Sequence, residues 1–250
     1  MKISIITATF NSEKFILDAL NSYSKQNYDN KELIIIDGCS SDRTINLIKS
    51  SNSKIDKFII ESDDGLYSAL NKGINNATGD VIGFLHSDDC YTDSTVLSNI
   101  MDIFLKNDSI AAVYGNLDYV SSNNISRIVR SWISEPFKYE FLKNGWMPPH
   151  PALFVKRSWY EKIGCFDEKY KISSDYDSIL KFFSNSKFTS IYVPKTFVKM
   201  RVGGASNNSI KSLFTKSTED FQILRHNGFN FWNSIYALIF KIFSKIKQFL

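Results

Sequence analysis

The chain has 250 residues, of which 43% are hydrophobic, enough for one large α/β domain with a continuous core. Its net charge of +4 comes from 30 basic and 26 acidic residues without a Lys/Arg block, which argues against nucleic acid binding. The 3 cysteines are far apart and lack the close pairs of zinc sites or disulfide scaffolds. The N-terminal segment also lacks the apolar region of a signal peptide, so we expect a cytoplasmic protein.

Short apolar runs alternate with helical patterns in the first part of the chain. Such alternation predicts βαβ units and a Rossmann-like, mostly parallel central sheet flanked by helices, which is an α/β fold. Parallel sheets bind ligands at the carboxyl ends of their strands. The predicted strands and helices are, in chain order, 3–8, 14–24, 32–36, 43–50, 58–60, 67–77 and 81–85.

The alternation fades after residue 107. Two segments, 111–119 and 125–132, flank a run of Ser and Asn and predict a β-hairpin. The Pro-rich segment 147–151 is expected to be stiff and extended, because proline fixes its own φ and restricts the residue before it. Further helices are predicted near 157–163, 176–184 and 210–227.

The last segment, 229–250, has the pattern of an amphipathic helix with basic residues on its polar side. Its longest apolar run, 235–240, is far shorter than the roughly 20 residues that span a bilayer. Such a helix fits either a membrane interface or packing on the domain or on a partner subunit. The polar face carries Asn233, Ala237, Lys241, Ser244, Lys245 and Gln248, and the opposite face Trp232, Ile235, Ile239, Ile242, Phe243, Ile246 and Phe249.

Small and acidic residues follow four successive predicted strands, and these strand ends should converge on one edge of the sheet. Asp88 and Asp89 follow the buried strand 81–85, where carboxylate oxygens suit Mg²⁺ or Mn²⁺. Two aspartates after a strand also occur in ordinary turns and helix caps, so both interpretations stay open. The other strand ends carry Thr7, Thr9, Asn11, Asp37, Asp63 and Asp64.

Three segments together resemble the family 2 glycosyltransferases, which have the GT-A fold. They read TATFNSEKFILDALNSYSKQNYDNKELIIIDGCSSDRT, ESDDGLYSALNKGINNATGDVIGFLHSDD and IGCFDEKYKISSDYDSILKF. The resemblance runs from residue 3 to about residue 206. Within the family, the segments are most similar to bacterial enzymes that assemble O-antigen and capsular polysaccharide repeats. It implies an inverting transfer of a sugar from a UDP-sugar to a saccharide acceptor, with Mg²⁺ or Mn²⁺ as cofactor.

The resemblance also implies roles for residues near the donor. Asp88 would hold the metal, with Asp89 supporting the ribose or the metal. The motif begins with His86 where many relatives have a carboxylate, so the role of this histidine stays open. The nucleotide would contact Thr7, Thr9, Asn11, Asp37, Asn71 and Lys72, although a solvated lysine explains Lys72 equally well.

On the acceptor side, Asp175 matches the catalytic aspartate of the family and would act as the general base, with Asp177 as its competitor. Relatives often have Glu where this chain has Ser174. His150, between two prolines, matches a histidine near the acceptor. Arg201 begins a glycine-containing segment, 201–206, whose backbone could approach a phosphate or form a plain turn.

These assignments divide the chain into a GT-A domain, 1–228, with a nucleotide-binding half, 1–107, an acceptor-binding half, 108–228, and the amphipathic helix, 229–250. We expect a lipid-linked acceptor and peripheral contact with the inner face of the cytoplasmic membrane. Whether the chain forms a homo-oligomer stays open. Two alternatives remain. A nucleotidyltransferase would usually show a Gly-rich phosphate loop after the first strand, and a non-catalytic membrane-associated scaffold would have a decayed nucleotide site.

Overall fold

A computed structural model describes residues 1–203 and 210–246. In this part of the chain, nine strands form a single sheet. They are β1 (Ile3–Thr9), β2 (Lys31–Asp37), β3 (Lys57–Ile60), β4 (Val81–Phe84), β5 (Cys90–Tyr91), β6 (Ala112–Ser121), β7 (Asn124–Trp132), β8 (Leu153–Lys156) and β9 (Ser190–Arg201). Their order is β3-β2-β1-β4-β8-β6-β9-β5, with β7 paired to β6 outside this path.

Helices cover both faces of the sheet. They are α1 (Ile16–Ser24), α2 (Thr44–Ser50), α3 (Leu66–Asn76), α4 (Val96–Lys106), α5 (Arg157–Ile163), α6 (Ser174–Ser184), α7 (Ile210–His226) and α8 (Phe231–Ile246). Two buried apolar clusters lie on opposite faces of the sheet, because neighbouring residues of a strand such as Ile5 and Ile6 belong to different clusters.

The first half of the sheet is parallel, as the alternating pattern predicts. β1 pairs in parallel with β2 and with β4, so that Ile6 lies beside both Ile34 and Phe84. These strands are buried along nearly their whole length, which explains their continuous apolar runs. The loops after β1, β2 and β4 therefore meet at one edge of the sheet.

The second half mixes directions: β8 lies antiparallel to both β4 and β6, whereas β9 runs parallel to β6. The β6–β7 hairpin confirms the predicted strands 111–119 and 125–132. Strands β5 and β8 were not predicted, because β5 has only two residues and β8 follows closely on the Pro-rich segment.

The C-terminal helix α8 lies on the domain with an orientation that the sequence did not predict. Its small and basic side packs inward: Ala237 is fully buried, and the Lys241 ammonium lies 2.7 Å from the carboxylate of Asp220 on α7. Trp232 and Tyr236 are instead 76% and 55% exposed. Ala237 and Lys241, which lie on the polar face of the sequence pattern, thus face the domain, where the Asp220 carboxylate binds Lys241. Residues 247–250 of the predicted helix lie outside the described residues.

None of the helices in the described ranges is both long and apolar enough to cross a membrane.

Candidate active site

A cavity of about 1340 Å³ opens at the carboxyl ends of β1 and β4. The loops after these strands form one wall, and the first turn of α6, the β6–β7 hairpin and residues of α7 and α8 complete it. The parallel half thus contributes the side predicted to hold the nucleotide, and the second half contributes the opposite side. The cavity brings together the carboxylates of Asp63, Asp88, Asp89, Glu135 and Asp175.

Asp88 and Asp89 lie in a tight turn directly after β4. The Asp89 backbone N–H donates to the His86 carbonyl at 3.0 Å, which closes the turn. The Arg201 guanidinium, at the end of β9, donates to the Asp88 carbonyl at 2.7 Å and to the Asp18 carboxylate at 2.6 Å. Because Arg201 fixes the backbone of this turn, the Asp88 side chain is free to face the cavity.

The two aspartates differ sharply in their surroundings. Asp88 is half-buried, whereas Asp89 is fully buried and neither of its carboxylate oxygens has a hydrogen-bond partner in the described part of the chain. Burial, reinforced by the neighbouring Asp88 charge, raises the pKa of Asp89 well above its usual range, while Arg201 opposes the shift. A buried carboxylate without a partner is costly unless a cation or a proton balances it.

These surroundings fit a divalent cation. Mg²⁺ is commonly held by one or two carboxylates together with phosphate oxygens of the substrate and water. Asp88 offers an accessible carboxylate and Asp89 an unpartnered one. No group of three or more His, Cys, Asp and Glu residues that could hold a metal alone occurs within the described ranges, so the donor phosphates would supply the remaining ligands.

Asp175 lies in the first turn of α6 and faces the same cavity. Its Oδ1 atom accepts a hydrogen bond at 3.0 Å from the Tyr67 hydroxyl of α3 and another at 2.9 Å from the backbone N–H of Tyr176. Asp177 points elsewhere: it is 2% exposed, and its carboxylate contacts Lys181 at 2.6 Å. The geometry therefore favours Asp175 over Asp177 as the general base.

Two histidines lie between the aspartates. The rings of His86 and His150 are 6.2 Å apart, and both side chains line the cavity. Burial lowers the pKa of His150 to about 4, and it lowers the pKa of His86 against the opposing charges of Asp88 and Asp175. The Nε2 atom of His150 has no hydrogen-bond partner in the part of the chain that the structure describes. Burial therefore favours the neutral form of both rings.

The residues predicted near the nucleoside divide into two groups. Thr9 and Asn11 line the cavity. Asn11 has a positive φ of 47°, and its side-chain oxygen accepts the backbone N–H of Ser41 at 2.9 Å, which ties the loops after β1 and β2 together. Thr7 and Asp37 are buried beneath this surface, and both carboxylate oxygens of Asp37 bind Ser40. The structure thus gives Asp37 a role in shaping the loop.

Asn71 and Lys72 do not reach the cavity. Asn71 exchanges two hydrogen bonds, both 2.9 Å long, with the backbone of Phe166, and Lys72 pairs with Glu61 at 3.1 Å. These contacts place both side chains on the flank of α3, so their predicted contact with a nucleotide has no geometric support. Arg201 lines the cavity, but its guanidinium is 5% exposed and bound to protein oxygens. Residues 204–206 of the segment 201–206, whose backbone was predicted to approach a phosphate, lie outside the described residues.

The cavity also contains residues that the sequence analysis did not select. Tyr67 lies within one of the three segments that resemble the family. Arg130 comes from the edge strand β7, and its guanidinium stacks on the Tyr119 ring at 3.8 Å. Lys216 and Lys241 come from α7 and α8. No local motif marks these last three, because their proximity arises only from tertiary packing.

The fold is similar to those of solved structures that bind nucleotide sugars. With the crystal structure of S. aureus TarS 1-349 in complex with UDP-GlcNAc the TM-score is 0.70 at 16% identity, over 91% of this chain and 65% of that one. With the mannosyltransferase PcManGT from Pyrobaculum calidifontis in complex with GDP-Man and Mn²⁺ it is 0.66 at 15% identity, over 97% of this chain and 69% of that one. The chain thus spans about two thirds of these structures, and the similarity confirms the predicted GT-A fold.

The sequence comparisons agree. The chain is 25% identical over 224 residues to a PGL/p-HBAD biosynthesis glycosyltransferase of Mycobacterium tuberculosis, covering 85% of this chain and 82% of the relative. Residues 4–165 match the family model described as glycosyl transferase family 2. Because this match covers more than half of the sequence, the chain belongs to glycosyl transferase family 2.

Proposed function

We propose that the chain is an inverting glycosyltransferase that moves a hexosyl or N-acetylhexosaminyl group from a UDP-α-sugar to a saccharide acceptor in the synthesis of a bacterial surface polysaccharide. One observation carries this proposal: Asp175, a candidate base, and the Asp88–Asp89 pair, a candidate metal site, line the same cavity. A transfer reaction with inversion needs these two elements on opposite sides of the anomeric carbon.

The acceptor hydroxyl loses its proton as it attacks the anomeric carbon, and Asp175 takes that proton. The attack is in line with the departing diphosphate, so the α-linked sugar becomes a β-glycoside. Tyr67 orients the base, because its hydroxyl lies 3.0 Å from Oδ1 of Asp175. His150 also lines the cavity, and we assign it to the acceptor side.

The leaving group is the nucleoside diphosphate, on which negative charge develops. Asp88, supported by Asp89, would hold Mg²⁺ or Mn²⁺, which as a Lewis acid stabilises that charge. The basic side chains of Lys14, Arg130 and Lys216 also line the cavity and favour an anionic donor. Most of the rate enhancement would come from this electrostatic stabilisation and from positioning of the two substrates.

The acceptor is a saccharide linked to a lipid, reached from the cytoplasmic side of the membrane. The observation behind this part of the proposal is the outer face of α8, where Trp232, Tyr236 and Ile239 are 76%, 55% and 49% exposed. Leu213 of α7 and Phe240 of α8 are also exposed, and both line the cavity, so an apolar surface continues into the site. Such a face can lie in the interface of a bilayer.

The test is sugar transfer from UDP-sugars to a saccharide acceptor with the intact protein and its Asp175→Asn variant, followed by NMR of the new linkage. We expect a β-glycoside and a loss of about 10²-fold to 10⁴-fold in kcat for the variant. Full transfer by Asp175→Asn would refute the assignment of the base. A product that retains the α configuration would refute inversion. Formation of a UDP-sugar and inorganic diphosphate from UTP and a sugar 1-phosphate, without transfer from any UDP-sugar, would indicate a nucleotidyltransferase, and no UDP binding at all would indicate a scaffold.

A further inference from the structure

The segment before α6, which leads into Asp175, is held by a single buried carboxylate from α7. Glu219 accepts the backbone N–H of Lys171 through Oε1 at 2.8 Å. Its Oε2 accepts the backbone N–H groups of Ile172 and Ser173, each at 2.9 Å. Three consecutive amides therefore converge on one side chain that lies far away in the sequence, and they fix the backbone immediately before the helix.

Glu219 is 8% exposed, so its interactions with these amides are shielded from water. Hydrogen bonds to an ionised carboxylate are roughly twice as strong as neutral ones. Such bonds resist small shifts of the segment. The network extends further, because the Ile172 carbonyl accepts a hydrogen bond from the Tyr67 hydroxyl at 2.7 Å. Because that hydroxyl also contacts Asp175, Glu219 and the candidate base share one network.

A second contact reaches the segment from the other side. Asp220, next to Glu219, binds the Lys241 ammonium at 2.7 Å, and their side chains are only 5% and 13% exposed. The same ammonium lies 3.5 Å from the ring centre of Tyr176, the residue after Asp175. The helices α7 and α8 thus contact the chain both before and after Asp175, although sequence analysis assigned α8 to a separate segment.

We propose that Glu219 is a positioning residue, which holds Asp175 at the place where it meets the acceptor hydroxyl. This inference rests on the proposed role of Asp175. Its physical reason is that a displacement of about 1 Å in a catalytic group can cost on the order of 10²-fold in rate. The role differs from simple stabilisation, because it acts on the reaction only through Asp175.

The test uses Glu219→Gln in the full chain, with Glu140→Gln as control, since Glu140 is exposed and outside the cavity. Glutamine keeps the size but turns an NH₂ group toward backbone donors. We expect kcat to fall about tenfold to 10²-fold, with the donor KM and the thermal shift caused by UDP unchanged. Glu219→Asp keeps the charge and should recover part of the lost kcat. If Glu219→Gln does not fold, the same measurements are made with Glu219→Asp.

A double variant separates positioning from stability. If Glu219 acts through Asp175, adding Glu219→Gln to Asp175→Asn should cause no further loss of kcat. Equal multiplicative losses in both backgrounds, or a normal kcat for folded Glu219→Gln, would overturn the inference. Full activity of Asp175→Asn would instead refute the proposed function, so the two failures can be told apart.

Discussion

The buried imidazole of His150 should make the fold sensitive to mild acid. The side chain is 6% exposed and packs against Phe84 and Phe166, with ring centres 4.9 and 5.5 Å away, and burial lowers its pKa to about 4. In the unfolded chain the pKa of histidine is about 6.5. As the pH falls below that value, the unfolded chain binds a proton that the folded chain does not. The free energy of unfolding therefore falls between about pH 6.5 and pH 4.

Within that window the free energy of unfolding changes by about 1.4 kcal/mol for each pH unit, which sets the size of the effect. Relative to pH 7.5, His150 should lower the free energy of unfolding by about 2 kcal/mol at pH 5 and by about 3 kcal/mol at pH 4. Its ring lies among aromatic side chains, so His150→Phe should preserve the packing and remove the titration.

Urea unfolding at pH 7.5 and pH 5, for the protein and for His150→Phe, measures the difference. Other groups that titrate in this range contribute to both proteins and largely cancel. Between pH 7.5 and pH 5, the free energy of unfolding should fall by about 2 kcal/mol less in His150→Phe than in the unsubstituted protein. An equal loss in the two proteins would refute the view that this histidine is buried and neutral.

Three further predictions concern packing, the outer face of α8 and the choice of base. A Cβ on Gly83 would lie 2.5 Å from a core phenylalanine ring, so Gly83→Ala should lower the free energy of unfolding by about 1–3 kcal/mol in chemical denaturation; an unchanged value would contradict this packing. Trp232→Ser with Ile239→Ser should weaken sedimentation with anionic vesicles while the melting temperature is unchanged, and equal sedimentation would refute membrane contact. Asp177→Asn should destabilise the fold by about 1–3 kcal/mol but keep kcat, unlike Asp175→Asn, and the reverse order would exchange their roles.

The parallel half of the fold was predictable because its signals are local. The apolar runs of β1, β2 and β4 lie in strands buried on both faces, and β1 and β2 are each followed by a helix with its own period. The orientation of α8 was not predictable in the same way. The hydrophobic pattern placed Lys241 on the polar face of the helix but did not show what this face contacts, because its buried partner Asp220 comes from α7.

The candidate site shows the same division. The turn with Asp88 and Asp89, and the start of α6 with Asp175, were visible as motifs, and the structure brings them to one cavity. Asn71 was selected from a motif as well, yet its side chain binds the backbone of Phe166 instead of facing the cavity. Glu219 carried no local signal, because its three partners lie 46–48 residues away in the sequence.

The most direct test of the central claim is UDP release from a panel of UDP-sugars, with Mn²⁺ or with EDTA, by the intact protein and by Asp88→Ala. We predict metal-dependent release from one donor, lost with EDTA and in the variant, because Asp88 offers an accessible carboxylate beside the buried Asp89. If the Asp88→Ala variant released UDP as fast as the intact protein, or if EDTA had no effect, the assignment of the metal site would be contradicted. If no UDP-sugar were turned over, the proposed donor class would be wrong.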